Sequence, residues 1–381
     1  MNGFWRTLPS PIIGLAPMDG VTDAAFRLTV ALHARPDITF TEFTSVGDIC
    51  FGAEGRMESL LYDPRERPII AQLYGKDPAL FYRAAHVVCE LGFDGLDINM
   101  GCPSRNVASS GSGAALIKTP ELAHEIIRAA RQGIADWTAG QTLKAAGLKD
   151  GKVAMVEQMK AKASPALSNR RPIPVSVKTR LGYDRIVIDE WVTHLLAERP
   201  AAITVHGRTL EQMYRGAADW EAIARAAALA RETGTRLLGN GDLVSMTDVV
   251  RRIRESGVDG VLVGRGTLGA PWFFSGNDAA RQACAGTAPT LSTDTVSRAK
   301  RFEAMLQHAR LFEEVMGARF PRMRKHLAWY CKGFPHAAAL RAQMVRASSS
   351  ADVERIVREF CETATLSVMA PVLAALAAAC D

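Results

Sequence analysis

Cys102 stands where a thiol can do chemistry. It ends the stretch Asp97-Ile98-Asn99-Met100-Gly101-Cys102-Pro103, ahead of the small-residue run Gly111-Ser112-Gly113-Ala114-Ala115. An apolar strand that stops, turns and enters a glycine-rich loop displays its last side chains instead of packing them. Pro103 cannot extend a ladder, and Gly101 permits close approach of the backbone. A buried cysteine elsewhere is often only a small hydrophobe, so its neighbours must decide. Lys178 emerges from the apolar run Val175–Lys178, and a buried ammonium needs an anion, supplied by a ligand or by a nearby carboxylate. Gly239-Asn240-Gly241-Asp242 and Gly264-Arg265-Gly266 offer open backbone amides and one guanidinium, the equipment of a phosphate site.

These groups need a frame. Short β-rich runs recur near Ile12–Ala16, Ile38–Thr41, Ile69–Leu73, Gly95–Asn99, Val175–Lys178, Ile203–His206, Arg236–Gly239 and Gly260–Gly264, with helix-like segments between them. Eight such units predict an α/β fold, a (β/α)8 barrel, followed by a smaller helical domain. In a barrel the carboxyl ends of the strands form the site. Here they carry Pro17, Met18 and Asp19, then Glu42, Gln72, Asn99 to Cys102, Lys178 and Arg180, His206 and Arg208, Asn240 to Asp242, and Gly264 and Arg265. Any one could be an ordinary loop residue; eight polar ends on one face argue for a site. The domains expected are a catalytic barrel over 1–280 and helices over 295–381, joined by a Gly/Ala/Ser/Thr-rich linker, Ser275 to Ser297. An insertion at about 132–171, rich in lysine and arginine, joins a helix to the next strand. That places it at the opposite face, as a solvated helical ornament and not a nucleic-acid arm.

Composition narrows the class. The 381 residues are 48% hydrophobic, ample for a core. No apolar run spans a bilayer, and the first residues lack a cleavable signal pattern, so a cytoplasmic protein with no membrane partner is expected. Seven cysteines, scattered and without a C-x-x-C pair, argue against a disulfide framework or a metal site. The net charge of +6 is mild, but Arg319 to Arg346 holds seven Lys or Arg residues and no Asp or Glu. That is a local positive face.

Taken together, the motifs around Asp19, Cys102, Lys178, His206, Asp242 and Arg265 resemble the tRNA-dihydrouridine synthases in order and spacing from about residue 11 to 274. The stretch from Arg322 to Pro335, Arg-Met-Arg-Lys-His-Leu-Ala-Trp-Tyr-Cys-Lys-Gly-Phe-Pro, resembles that family's helical tRNA-binding domain. The resemblance implies FMN-dependent reduction of the C5=C6 bond of a D-loop uridine in tRNA, with NADPH or NADH as reductant. It implies that Pro17, Met18 and Asp19 lie beside the flavin ring and that Gln72 and Lys178 bond its pyrimidine edge. His206, Asn240, Gly241, Asp242, Gly264 and Arg265 would hold the ribityl chain and phosphate. Asn99, Arg105, Arg180 and Arg208 are expected to face the RNA, with Arg322, Arg324, Lys325 and Lys332 on its backbone. Trp329, Tyr330 and Phe334 either stack on bases or fill a helical core. Two pieces, Ile38–Glu42 and Pro103–Val107, favour the branch acting at position 16. Asp19 replaces the smaller residue often found there, and the insertion is not a general feature of the family.

The reaction needs a hydride at C6 and a proton at C5. The flavin supplies the first; Cys102, whose ordinary thiol pKa of about 8.5 leaves it protonated at neutral pH, is expected to supply the second. Arg105, close in sequence, could push that pKa down. A monomer is expected. The competing readings are an FMN barrel acting on a free pyrimidine, a non-catalytic tRNA-binding protein, and a sugar-phosphate barrel, which leaves Cys102 unexplained.

Overall fold

The computed structural model describes residues 3–162, 170–287 and 296–363. Nine strands form one parallel sheet: β1 (Ile12–Leu15), β2 (Thr39–Phe40), β3 (Thr44–Ser45), β4 (Ile69–Tyr74), β5 (Gly95–Met100), β6 (Val175–Arg180), β7 (Ala202–His206), β8 (Arg236–Asn240) and β9 (Gly260–Val263). The pairing runs β1-β9-β8-β7-β6-β5-β4-β2. Two backbone hydrogen bonds, from Leu15 to the Ile38 carbonyl and from Asp37 to the Ile13 carbonyl, close β2 back onto β1. The eight expected strands are all present and form the barrel. The ninth, β3, is a two-residue extension beside the end of β4. At the β1–β9 seam only glycine fits, because a Cβ on Gly260 would lie 2.2 Å from the Ile12 carbonyl oxygen.

The strand sequences explain where the polarity goes. In β5, Leu96, Ile98 and Met100 alternate with Asp97 and Asn99; in β6, Val175, Val177 and Thr179 alternate with Ser176, Lys178 and Arg180. With a period of two, one set packs on the surrounding helices and the other turns into the barrel. Trp5, 1% exposed, joins the interior cluster of Ile12, Phe40, Ile70, Leu238 and Leu262. Helices between strands start on side-chain caps, such as Asp77 ahead of Pro78–Glu90 and Ser245 ahead of Met246–Ser256.

Two features differ from the sequence reading. Within the expected linker, Asn277–Cys284 is a helix docked on the barrel: Asn277 donates to the Ile13 carbonyl, and Arg281 donates to the Pro11 carbonyl and pairs with Asp37. Its small residues are packing surface, Ala280 and Ala283 being buried. The described part of the insertion is likewise no solvated ornament. Helix Asp150–Lys162 buries Val156 and Met159, and Lys152, 7% exposed, donates to the Asp48 carbonyl. Lys160 and Arg170 pair with Glu90, and Arg171 with Asp94. Its cations serve the barrel flank, as far as residues 163–169, which lie outside the described residues.

Beyond residue 296, helices Arg298–Met316, Arg324–Tyr330, Ala337–Met344 and Ser350–Thr363 enclose a second core, to which Ala25 of barrel helix Ala24–His33 also belongs. The terminal Ala-rich helix expected over 372–380 lies outside the described residues. Tyr330 is buried and Phe334 packs on Phe302, so the core role fits both; Trp329 packs edge-on against His326.

His308 and His326 are buried at this junction with ring centroids 4.9 Å apart; Tyr330 Oη lies 3.2 Å from His308 Nδ1 and Asp23 Oδ2 lies 3.8 Å from His326 Nε2. Burial pushes His308 down to about 3 and His326 well below its ordinary value. A histidine whose folded pKa is depressed stays neutral in the fold but is protonated in the unfolded chain below about 6.5, so stability is lost as pH falls through that value. Between pH 7 and 5 the expected loss is about 2 kcal/mol per histidine. Urea unfolding at both pH values checks this, with His308→Phe flattening the acid side; an unchanged acid side in that variant would contradict it.

Candidate active site

The catalytic candidates gather at the carboxyl ends of the strands. A cavity of about 440 Å3 is lined there by Ala16 to Asp19, Gln72, Asn99, Gly101 to Ser104, Lys178, Arg180, His206, Asn240 to Asp242, Gly264 and Arg265. Seven strands of one barrel thus bring together residues from Ala16 to Arg265 around a space about the size of a small-molecule site.

Asn99 builds the cysteine turn. Its side-chain oxygen accepts from the backbone amides of Gly101 at 3.0 Å and Cys102 at 2.8 Å, while its Nδ2 donates to Gln72 at 2.9 Å. Gly101 lies so close to β6 that a Cβ there would come within 3.1 Å of the Thr179 backbone. Gly113, at φ +62°, backs the turn and would bring a Cβ to 3.2 Å from that of Cys102. The thiol is 6% exposed. Burial pushes its pKa up and Asp19 adds to this, against the Ser104 amide, Arg180 and Lys178. The side chain of Arg105 lies outside the described residues; the net direction is upward, toward a protonated thiol.

Lys178 ends in the cavity. Burial and the neighbouring Arg180 bring its ammonium down to about 8, with Asp97 opposing. His206 is held neutral, well below its ordinary pKa, by burial and by the surrounding cations. At the far end, Asp242 sits at φ +51° after Gly241 at φ +134°, and its carboxylate takes both Arg208 and Arg265 at 2.7 Å. Those contacts hold it below the ordinary carboxylate range against burial, which acts the other way. Asn240 donates to the Leu262 carbonyl.

The arginines expected to face RNA take different places. Arg180, 3% exposed, donates to the carbonyls of Gly101, Thr209 and Met213, tying the cysteine turn to the loop after β7. Arg208, 2% exposed, is a strut to Asp242 and the Gly216 carbonyl. Arg324 donates to the Ala347 carbonyl and Lys332 to that of Leu268. Arg322 and Lys325 instead line a second chamber of about 560 Å3, with Arg56, Arg319, Asp23, Glu42 and Glu58. The two spaces share Asp19, Phe43 and Ser104 in their walls, so they lie side by side.

Two groups are given no role by the sequence reading. Arg27, 1% exposed, pairs with Glu66 at 2.6 Å and donates to the carbonyls of Thr22 and Leu61. It anchors the turn in which Thr22 Oγ1 accepts from the Met18 amide. Glu42, noted only as a strand end, is half-buried in the second chamber and pushed up to about 7, first by burial and then by Asp23. Its place after β2 was the available signal; nothing local marks Arg27.

The family model for dihydrouridine synthase (Dus) matches residues 14–138 and 150–368. The break between the two stretches falls within the expected insertion. A probable tRNA-dihydrouridine synthase 2 of Bacillus subtilis is 32% identical over 367 residues, covering 94% of this chain and 97% of that protein. A probable tRNA-dihydrouridine synthase of Staphylococcus aureus MRSA252 is 32% identical over 369 residues, covering 94% and 96%. Among solved structures, the old yellow enzyme from Trypanosoma cruzi aligns at a TM-score of 0.44 and 12% identity, over 75% of this chain and 90% of that one. Matched along nearly its whole length, this chain belongs to the dihydrouridine synthase family.

Proposed function

We propose that the protein is a tRNA-dihydrouridine synthase that reduces the C5=C6 bond of a D-loop uridine, with FMN in the 440 Å3 cavity and NADPH or NADH as reductant. The observation that carries this reading is a cysteine on a fixed turn, lining the same cavity as Lys178, Gln72 and His206, beside a second chamber lined in part by Arg319, Arg322 and Lys325. That chamber's lining is mixed, with Arg56, Arg319, Arg322 and Lys325 among Asp19, Asp23, Glu42, Asp48 and Glu58, and with Arg319 and Arg322 paired to Glu58; a free pyrimidine has no use for those cations.

The residues fit an FMN. A half-buried ammonium at Lys178, facing the cavity, suits an anion, and the Gln72 carboxamide keeps one N–H and one lone pair beyond its internal bonds, both suited to a pyrimidine edge. At the other end Gly264 leaves room that a Cβ would fill, 3.2 Å from Met18 Sδ, and Arg265 offers a guanidinium half in solvent. When bound, FMN supplies the hydride that uridine takes up at C6. Every other part belongs to the chain. Cys102 holds a proton for C5, because burial keeps the thiol protonated through neutral pH. Lys178 stabilises negative charge at the ring edge, and Arg180 holds the turn closed over Gly101. Asn99 acts through the turn, by fixing the Cys102 amide.

The target base must leave its stack, at a cost of a few kcal/mol that a loose loop reduces. The helical region, 295–381 in this reading, contributes the RNA backbone contacts through Arg322 and Lys325. Replacing both by alanine should weaken tRNA binding and lower the slope of log affinity against log salt by about 1–2. Filter binding at several salt concentrations checks this, and equal affinity at each would refute it. No described helix is long and apolar enough to cross a membrane; a cytoplasmic, monomeric enzyme is the reading we adopt.

A further inference from the structure

We propose that Asp97, which touches neither substrate nor cofactor, is a positioning residue that dictates which way the Gln72 carboxamide faces and how far the charge of Lys178 is balanced, and so sets the reduction potential of the bound flavin. The inference rests on the reading that FMN fills the cavity.

Strand register puts Gln72, Asp97 and Ser176 in one row across β4, β5 and β6, with Asn99 and Lys178 paired in the row above. Asp97 is fully buried. One of its oxygens accepts from Ser176 Oγ at 2.6 Å and the other from Gln72 Nε2 at 2.8 Å. The amide orientations follow from the network alone. Asn99 must turn its oxygen to the Gly101 and Cys102 amides, which can only donate, so its Nδ2 faces Gln72. Gln72 must then offer its oxygen to Asn99 and its amino group to Asp97, whose carboxylate can only accept. The same chain of bonds runs from Ser176 to the turn of Cys102.

Asp97 also opposes the fall in the Lys178 pKa, while burial pushes Asp97 itself up to about 6 against Ser176, Gln72 and Lys178, so that it is still mostly a carboxylate at neutral pH. The carboxylate therefore partly cancels the positive charge that the cavity presents. With Asp97→Asn the cancellation is lost. The new amide keeps Ser176 through its oxygen but confronts Gln72 with a second amino group, so Gln72 either loses that bond or rotates and loses Asn99. Uncancelled positive charge beside the ring favours the more negative, reduced form, and the potential rises.

The experiment titrates FMN into the wild-type protein and the Asp97→Asn and Ser176→Ala variants, measures the midpoint potential of the bound flavin, and records melting temperatures. Ser176→Ala keeps the carboxylate but removes a donor that stabilises its charged form, so it should shift the potential in the same direction by less. For Asp97→Asn the expected result is at least a tenfold higher ratio of reduced to oxidised flavin at fixed applied potential, a rise of about 30 mV for a two-electron couple. Wild-type potentials in both variants, with only lower melting temperatures, would overturn the proposal and leave Asp97 a structural residue. If Asp97→Asn fails to fold or retain FMN, an unchanged potential in Ser176→Ala overturns it alone. A wild-type protein that binds no FMN overturns the underlying reading, and the proposal with it.

Discussion

Cys102→Ala, loaded with FMN, should reduce tRNA roughly 10²–10⁴-fold more slowly than wild type, the ordinary worth of a positioned general acid, while binding FMN and tRNA normally. The turn does not need the side chain: Asn99 holds it through backbone amides, and Gly113 packs behind it. Cys102 is 6% exposed, and its pKa is pushed up, principally by burial. A nucleophilic cysteine wants the opposite shift. The direction also fixes the pH dependence. Donation by Cys102 holds through neutral pH and is lost as the thiol ionises, so turnover should fall on the alkaline side; Lys178, brought down to about 8, adds a limb of its own, and the alanine variant should keep only that one. Single-turnover reduction of tRNA by pre-reduced enzyme is the measurement. Wild-type turnover by the alanine variant would remove Cys102 from the mechanism.

Arg27→Met should destabilise the protein by about 3–5 kcal/mol at neutral pH, because it leaves the Glu66 carboxylate buried without its partner. Both side chains are fully shielded, and the guanidinium also serves the carbonyls of Thr22 and Leu61. Burial already pushes the Glu66 pKa up despite Arg27. Without that charge it must rise further, so acidification neutralises the stranded carboxyl and the deficit should shrink as pH falls. Arg27→Met with Glu66→Gln should recover most of the loss, since neither partner then stays charged. Denaturant unfolding of the wild type and the two variants at two pH values tests the point; a deficit that is independent of pH, and not relieved by the second substitution, would contradict it. The turn carrying Met18 and Asp19 hangs on the same guanidinium through Thr22, so activity should fall with stability.

The barrel was readable because a strand enclosed on both sides must be apolar, and eight such runs each ended in a group out of place in a core. That Cys102, Lys178, His206 and Asp242 would share one face, where they line one cavity, was therefore legible from position alone. What the sequence hid is what depends on partners far along the chain. Arg27 and Glu66 stand 39 residues apart, with nothing local to couple them. Asp97 reads as one more polar residue in a strand until the register sets it beside Gln72 and Ser176. The basic tail looked like an RNA surface throughout, yet Arg324, Lys332 and Arg341 are engaged by protein carbonyls, which a charge count cannot see. The insertion misled for the same reason: its lysines and arginines answer carboxylates and a carbonyl on the barrel flank, and its few apolar residues suffice to dock it.

The most direct test is to incubate the FMN-loaded protein with NADPH and unmodified tRNA and to map the product by mass spectrometry. A gain of two hydrogens at one D-loop uridine, position 16 or another, is the predicted result. No gain on tRNA, with NADPH oxidised when free pyrimidines are supplied instead, would contradict the account and assign the cavity to a small-molecule reductase.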